Sequence, residues 1–356
     1  MRLSGTLQGR IIPLEEFPNW DRKIAAFPQK TIFHESVWLR FLEKDQAGRA
    51  MVLQLTTPAG EERVLWPGLV VRKGPVRIFG SPLRGWGTVV MGPLYRDEEA
   101  VPLLKAAESA LKAGGIHHWE FVSESLPTGP APERGYRLES SDTHRIPLDP
   151  DEEKMWARLQ VRCRTSTRKA VKSGLVARIS EGPAFLENLY RNVLGVFARQ
   201  GTTPSYDLPR LQRVWESLYP SGRAFGIEVL AGEEMAAAGL FVGDERQAYT
   251  WAEASDARFN ALGPNNLCYW EAMRHFSGRG GLYLHSPGAA VGGIGKFKAS
   301  FNPDILQYPF WILDRSRVLR WGRRLYKGVV AWRARRRFEA SVKGHGGADG
   351  KGEAGE

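Results

Sequence analysis

Two lysine-bearing segments, about 130 residues apart, carry the side chains of this chain that are best suited to chemistry. The first, Arg164 to Leu175, places basic residues on successive turns of a predicted helix that stops at Ser173-Gly174. The second, Gly293 to Phe301, follows a glycine-rich loop that begins at His285. A glycine-rich backbone next to fixed cations lets a polar or anionic ligand approach closely. The two segments therefore predict a ligand-binding site.

The composition indicates a folded protein with two domains. The chain has 356 residues, enough to bury two cores, and 42% of them are hydrophobic, which excludes a largely disordered protein. Neither Cys163 nor Cys268 has a metal-ligand neighbour at a useful spacing, so we expect free thiols in a reducing compartment. The sequence shows no signal-peptide pattern and no apolar run of roughly 20 residues. We therefore expect a cytoplasmic protein.

The net charge of +11 comes from two local clusters. Residues 158–172 contain six Lys or Arg and no acid, and residues 315–337 contain ten Lys or Arg and no acid. These sixteen charges exceed the whole surplus, so the rest of the chain is net negative. A protein coated for duplex DNA carries its basic residues more widely, and that class of function is therefore disfavoured.

The two halves of the chain follow the same order of elements. In each half the pattern predicts helices, then an antiparallel meander, a helix and a further strand. This order predicts an α/β (α+β) fold with two tandem domains, each a mixed, mainly antiparallel sheet flanked by helices. The expected boundaries are 1–150 and 151–313 for the domains, 314–340 for a basic amphipathic helix and 341–356 for a disordered tail.

A single helix is predicted from Glu152 to Lys172. Acidic residues at its start and basic residues at its end suit the helix dipole. Its basic face has two interpretations, a solvated surface or a surface that binds a ligand.

The motifs in these segments resemble those of the FemABX-like acyltransferases and their BioF-like (CelD-like) relatives in the GNAT superfamily. The helix motif of that family matches Arg164, Lys169, Ala170 and Gly174, with Ser166 in place of the usual Asn. The C-terminal signature matches Gly293, Phe297, Lys298 and Phe301, with Asn302 in place of the usual Gly. Near the N-terminus Phe33 and Trp38 fit the family pattern, whereas Leu42 occupies the position of a lysine found in the peptidoglycan bridge enzymes.

The resemblance implies two tandem GNAT-like domains with the active site in the cleft between them. Lys298 would be a catalytic residue lining the acceptor and donor channel, and Arg164 would meet phosphates of the acceptor. The other residues implied in substrate binding are Arg168, Lys169, Lys172, Trp38, Lys296 and Phe297. The implied reaction is acyl or aminoacyl transfer that forms an amide on an amine of a cell-envelope precursor, a peptidoglycan or polysaccharide intermediate. The implied donor is acyl-CoA or aminoacyl-tRNA.

The residues leave the general base and the donor open. Glu253, at the end of the third meander strand, and Glu228, on the first, are the candidate bases, and desolvation of the amine is an alternative to both. The loop from Arg258 to Asn266 lacks the spacing with which ordinary GNAT enzymes cradle a pyrophosphate at a helix N-terminus. No P-loop, serine-hydrolase or zinc-protease motif is present, and we expect no metal.

The basic segment from Asp314 to Arg337 alternates arginines with aromatic and aliphatic residues. Three roles remain open for this segment: binding to the inner face of an anionic membrane, binding to tRNA phosphates, or packing on the second domain. The alternative to an enzyme is a non-catalytic adaptor that binds a glycan or lipid-linked precursor in a polysaccharide-synthesis complex.

Overall fold

The first half of the chain builds one unit of helices and strands around a meander. The computed structural model describes residues 7–96, 100–288 and 292–315. The elements of this half are, in order, β1 (Gln8–Pro13), α1 (Trp20–Ile24), α2 (Ser36–Gln46), β2 (Arg49–Thr56), β3 (Glu62–Lys73), β4 (Val76–Ser81), β5 (Leu94–Tyr95), α3 (Ala100–Ala113), β6 (His118–Val122) and β7 (Arg137–Pro147).

The second half repeats that order after two linking helices. Its elements are α4 (Glu152–Arg158), α5 (Val161–Lys172), β8 (Leu175–Ile179), α6 (Phe185–Arg199), α7 (Leu208–Leu218), β9 (Ala224–Ala231), β10 (Glu234–Gly243), β11 (Gln247–Ser255), α8 (Pro264–Ser277), β12 (Tyr283–Pro287), α9 (Gly292–Ala299) and β13 (Asp304–Asp314).

All the described strands join one sheet whose order is symmetric. The order is β1-β2-β3-β4-β6-β13-β7-β12-β11-β10-β9-β8, with β5 paired to β3. Read from either end, three antiparallel pairings are followed by one parallel pairing and then an antiparallel one. The prediction of two tandem units, each with a mixed, mainly antiparallel sheet, is therefore confirmed. The boundary near residue 150 stays a prediction.

The two units exchange their last strands. β7 belongs to the first half but pairs with β12, with Pro147 opposite Tyr283. β13 belongs to the second half but pairs with β6, with Asp314 opposite His118. The exchanged strands pair with each other along the centre of the sheet. Each unit is consequently completed by the other.

The predicted helix from Glu152 to Lys172 is wrong as one element. The chain breaks at Leu159, whose backbone is extended (φ −64°, ψ 143°) and whose side chain is buried. The next amide, that of Gln160, donates to the carbonyl of Ser300 at 3.0 Å. Because this bond ties the break to the segment after α9, α4 and α5 are separate helices.

The predicted C-terminal helix overlaps the sheet at its first residue, since Asp314 ends β13. Apart from Asp314 and Arg315, the segment 314–340 and the predicted tail 341–356 lie outside the described residues. The three roles considered for this segment stay predictions. Within the described part of the chain, no helix combines the length and the apolar character needed to cross a membrane.

In the first unit, the chain itself occupies the space beside β4. The segment after β4 returns to the sheet, where Met91 bridges to Val122 and β5 pairs with Val64 and Leu65. Among the described residues no such segment lies in the same space of the second unit, where the short turn Ala257–Leu262 connects β11 to α8. The open site of this fold is therefore expected in the second unit.

A network of five charged residues joins the units on one side. The Lys30 ammonium lies 2.5 Å from Glu35 and 3.2 Å from Glu245, and Arg223 bonds both of these carboxylates. Asp244 completes the network at 3.4 Å from Lys30. The three carboxylates are close enough to share a metal ion. Since two cations already contact them, we interpret the group as an ion-pair network.

A separate, buried ion pair also joins the units, and we expect it to matter for stability. Arg210 of α7 donates to Asp45 of α2 at 2.8 Å and to the carbonyl of Gly85 at 2.9 Å. The side chains are 8% and 2% exposed. Asp45→Ala should lower the free energy of unfolding by about 3–5 kcal/mol, because it leaves the guanidinium buried without its counter-charge.

Urea denaturation would measure this loss. The matched control is Asp304→Ala, which removes an ion pair of similar length (3.0 Å to Arg145) whose carboxylate is 52% exposed. That change should cost less than about 1 kcal/mol. Equal losses in the two variants would contradict a special role for the buried pair.

Candidate active site

A wedge opens in the second unit where β11 and β12 separate. The two strands pair in parallel only over Gln247 to Tyr249 on β11 and Tyr283 to His285 on β12. Beyond this point β11 continues to Ser255 with no described partner on this side, and β12 ends at Pro287. Main-chain and side-chain groups on the two diverging strands thus border a common space.

A β-bulge at Trp251 sets which side chains face the wedge. Thr250 lies opposite Phe241 and Ala252 lies opposite Leu240, so Trp251 is the extra residue. Bulges of this kind redirect side chains and are frequent next to active sites. The bulge keeps Tyr249 and Ala252 in the core between the units while Glu253 turns towards α8.

Lys298 points from α9 to the end of β12. Its Nζ donates to three successive carbonyls, those of Ser286 (3.4 Å), Pro287 (2.5 Å) and Gly288 (3.1 Å). Its side chain is buried, with 6% of the residue exposed. Burial lowers the pKa of Lys298 from its ordinary 10.5, and the charge of Glu253 opposes this effect. The bond to Ser286 is the longest, so it is the one most easily given up to a ligand oxygen.

Glu253 faces Lys298 from the opposite strand. Its Oε2 is enclosed and has no hydrogen-bond partner within the described ranges. Burial raises the pKa of Glu253 above its ordinary 4.5, an effect that Tyr269 and Lys298 offset in part. A carboxylate with a raised pKa and a vacant acceptor atom is suited to take up a proton. The structure therefore brings together the two predicted catalytic residues.

Tyr269 connects the two sides of the wedge. Its hydroxyl lies 2.9 Å from Oγ of Ser286 and within hydrogen-bonding reach of Glu253. Burial keeps the pKa of Tyr269 well above its ordinary 10.0, so the phenol is protonated at neutral pH. The ring also packs edge-on against Phe297 at 5.2 Å, which fixes α9 against α8. Tyr269 and Ser286 were not predicted from the sequence.

The basic residues of α5 do not meet Lys298. Arg164 donates to the carbonyls of Ala157 and Leu159, so it caps the end of α4. The Arg168 guanidinium lies 5.3 Å from the centre of the Trp156 ring. Lys169 and Lys172 are exposed. This face of α5 is a solvent-accessible basic surface, and its binding role stays a prediction.

The remaining predicted residues occupy three different environments. Lys296 is exposed on α9, and Phe297 is half-buried, with its ring 5.2 Å from that of Phe301. Trp38 is fully buried, and its Nε1 donates to Thr88 Oγ1 at 3.0 Å. Trp38 therefore supports the core between the units, and a ligand would reach it only after rearrangement.

The other candidate base, Glu228, lies away from the wedge. It is on β9, which two strands separate from β12, and it accepts a bond of 2.9 Å from Arg178 of β8. The start of α8, where a GNAT enzyme would bind a pyrophosphate, is in contact with α5. A Cβ at Gly263 would lie 2.8 Å from the carbonyl oxygen of Ser166, and the Asn265 amide is bonded to Ser255.

The comparisons with known proteins agree with this geometry. Residues 158–290 match the family model described as an acetyltransferase (GNAT) domain, a segment that contains β8 to β12. No curated protein sequence matches the chain.

Among solved structures, FemX is similar with a TM-score of 0.64 at 13% identity, covering 82% of this chain and 94% of FemX. A conserved protein of unknown function from Bacteroides thetaiotaomicron is similar with a TM-score of 0.53 at 10% identity, covering 82% of this chain and 96% of that one. A tandem GNAT protein from the clavulanic acid biosynthesis pathway is similar with a TM-score of 0.50 at 12% identity, covering 87% of this chain and 99% of that one. At these identities the likeness is one of fold.

The family model and the fold define the class of this protein. It carries a GNAT acetyltransferase domain within a tandem GNAT fold similar to that of FemX. The prediction of a GNAT-superfamily transferase is confirmed by this domain, and the likeness to FemX is one of fold.

Proposed function

We propose that the wedge between β11 and β12 transfers an acyl or aminoacyl group to an amine of a cell-envelope precursor. The observation that carries this proposal is the charge interaction between Glu253 and Lys298 across the wedge, the first with a carboxylate oxygen that has no partner among the described residues and the second a buried cation. Amide formation needs a proton acceptor for the amine and positive charge near the developing oxyanion. These two residues meet both requirements.

In the proposed reaction, a bond forms between the acceptor nitrogen and the donor carbonyl carbon. The bond from that carbon to the leaving oxygen or sulfur breaks. Glu253 accepts the proton that the nitrogen loses and returns it to the leaving group, so that the carboxylate is regenerated. The Lys298 ammonium stabilises the carbonyl oxygen while it carries negative charge, and loses little on turning because its bond to Ser286 is 3.4 Å long.

The site restricts the choice of donor less than the choice of acceptor. Ester-linked aminoacyl-tRNA and thioester-linked acyl-CoA present the same carbonyl chemistry to Lys298. Because Gly263 lies against Ser166 of α5, little space remains at the start of α8 for a pyrophosphate. This favours a donor that has no pyrophosphate at that position. We therefore propose an aminoacyl ester as the preferred donor, with acyl-CoA as the alternative.

The acceptor is proposed to reach the wedge along the basic surface of α5. Arg168, Lys169 and Lys172 are exposed there, and phosphate groups of a nucleotide- or lipid-linked intermediate match such a surface. Both described cysteines are free and buried, in keeping with a reducing, cytoplasmic environment. We propose that the enzyme acts at the inner face of the membrane, held there by the basic segment after Asp314.

A paired donor and acceptor assay tests the proposal. The full chain would be incubated with radiolabelled aminoacyl-tRNA or acetyl-CoA, each with a nucleotide-linked muramyl peptide or a nucleotide-linked amino sugar. We expect a labelled product that resists mild base, because an amide survives where an ester is hydrolysed. Absence of labelled product with every pair, or a base-labile product, would contradict the proposed function.

A further inference from the structure

The exchanged strand β7 brings a histidine into the wedge. His144 lies directly opposite Ser286 in the antiparallel pairing of β7 with β12. Directly paired residues place their side chains on the same face of a sheet, here the face covered by α8 and α9. His144 is buried, with 4% of the residue exposed, and it lies close enough to Lys298 for their charges to interact.

The ring nitrogens of His144 have different environments. Nδ1 is enclosed and has no hydrogen-bond partner within the part of the chain that the structure describes. A hydrogen bond from the ring to the main chain of Ser286 raises the pKa of His144, and because Nδ1 has no partner we assign this bond to Nε2–H. Nδ1 of the neutral ring is then an acceptor without a donor. A buried acceptor of this kind is costly unless a ligand satisfies it.

The surroundings of His144 favour the neutral form of its ring. Burial is the main cause that lowers the pKa of His144 from its ordinary 6.5, and the positive charge of Lys298 lowers it further. Asp142, on the same strand, acts in the opposite direction. At neutral pH the ring therefore offers a lone pair rather than a second positive charge.

The polar groups of the wedge form one connected set around Lys298. Ser286 shares its carbonyl with Lys298, and its hydroxyl contacts Tyr269, which reaches Glu253. His144 belongs to the same set, on β7, whereas Glu253 lies on β11; β7 and β11 are the two neighbours of β12 in the sheet. Two acceptors without a partner among the described residues, Nδ1 of His144 and Oε2 of Glu253, thus belong to side chains that interact with the charge of a buried ammonium.

We propose that His144 is a further binding residue of this site, whose Nδ1 accepts a hydrogen bond from an N–H of the primary amine acceptor. A neutral primary amine has two N–H groups and one lone pair. One N–H can donate to His144 and the other to Glu253, which leaves the lone pair free for attack on the donor carbonyl. The inference rests on the proposed function, and it gives the first unit a direct part in the site of the second.

Two substitutions of His144 distinguish the contribution of Nδ1 from that of Nε2. In His144→Asn the amide oxygen takes roughly the position of Nδ1, whereas in His144→Gln the amide reaches the position of Nε2 and leaves nothing at Nδ1. In the full chain, with the donor and acceptor found active above, we expect His144→Gln to raise the acceptor KM by about 10- to 100-fold, since an N–H loses its partner. The donor KM should be unchanged, and His144→Asn should remain within about fivefold of wild type on the acceptor.

The control is His275→Gln. His275 is half-buried, and its Nε2 also has no hydrogen-bond partner among the described residues, but its ring packs 4.8 Å from that of Phe225. This variant should keep both KM values. Equal acceptor KM values in His144→Gln and wild type would overturn the inference alone, whereas an inactive wild type would overturn the proposed function and the inference with it.

A second measurement does not need turnover or the variants. The nitrogen chemical shifts of the imidazole in the free protein report which nitrogen carries the proton. We expect the Nε2–H form for His144 at neutral pH, and the Nδ1–H form would overturn the inference. This result also decides the matter if His144→Gln fails to fold.

Discussion

Lys298→Met is expected to lower kcat by about 10²–10³, with the fold retained. The change keeps an unbranched apolar chain as far as Cε but removes the only ammonium that interacts with Glu253 among the described residues. Loss of one group that stabilises an oxyanion typically has an effect of this size. Steady-state kinetics with the active donor and acceptor would measure it, and thermal unfolding would show whether the fold is intact.

Two other lysine variants serve as controls for Lys298→Met. Lys105→Met removes an exposed lysine from α3 of the first unit and should leave kcat unchanged. Lys296→Met removes an exposed lysine two residues before Lys298 and should change a KM rather than kcat. Full activity of Lys298→Met would contradict the assignment of Lys298 to the chemical step.

Glu253→Gln is expected to lower kcat by about 10²–10⁴, the usual contribution of a positioned general base. The amide has nearly the same shape as the carboxylate but cannot accept a proton. In the wild type only the ionised carboxyl is active, so the rate should fall as the pH decreases through the raised pKa of Glu253. The variant should lack this acidic limb of the pH profile.

Glu228→Gln is the matched control for Glu253→Gln. Glu228 is a buried strand carboxylate of the same unit, but it is bonded to Arg178 and lies outside the wedge. Its substitution should leave the acidic limb in place. If Glu228→Gln rather than Glu253→Gln removed that limb, the base would have to be reassigned.

The sequence predicts the repeated plan of the fold but not how its two copies are joined. The meander of the second half was predicted, because β9, β10 and β11 are separated by clear turns. β7 and β13 were missed. β7 has an exposed stretch with the polar residues Ser140, Ser141 and Asp142, so its pattern does not alternate as that of a half-buried strand would. The exchange of these strands depends on contacts across more than 150 residues, which no local pattern records.

The candidate site was predicted where a motif carried it and missed where only the fold assembles it. Lys298 belongs to a recognisable segment, and Glu253 ends a clear strand. His144, Ser286 and Tyr269 stand in no motif, and they become neighbours only through the pairing of β7 with β12 and the packing of α8. Arg164 was predicted from a motif, yet in the structure it bonds carbonyls of α4 and Leu159. A motif therefore indicates a segment more reliably than it indicates a role.

The exchanged strands also constrain how the chain can fold while it is being synthesised. β6 and β7 run in the same direction, both antiparallel to β13, so they cannot close on each other as a hairpin. β13 follows β7 by about 160 residues, and at about 5–20 residues per second it emerges from the ribosome about 8–30 s later. During that interval the nascent first unit has an incomplete sheet with open strand edges, which are prone to aggregation. Folding of the first unit is thus tied to completion of the second, and a chain released early is a natural client for chaperones.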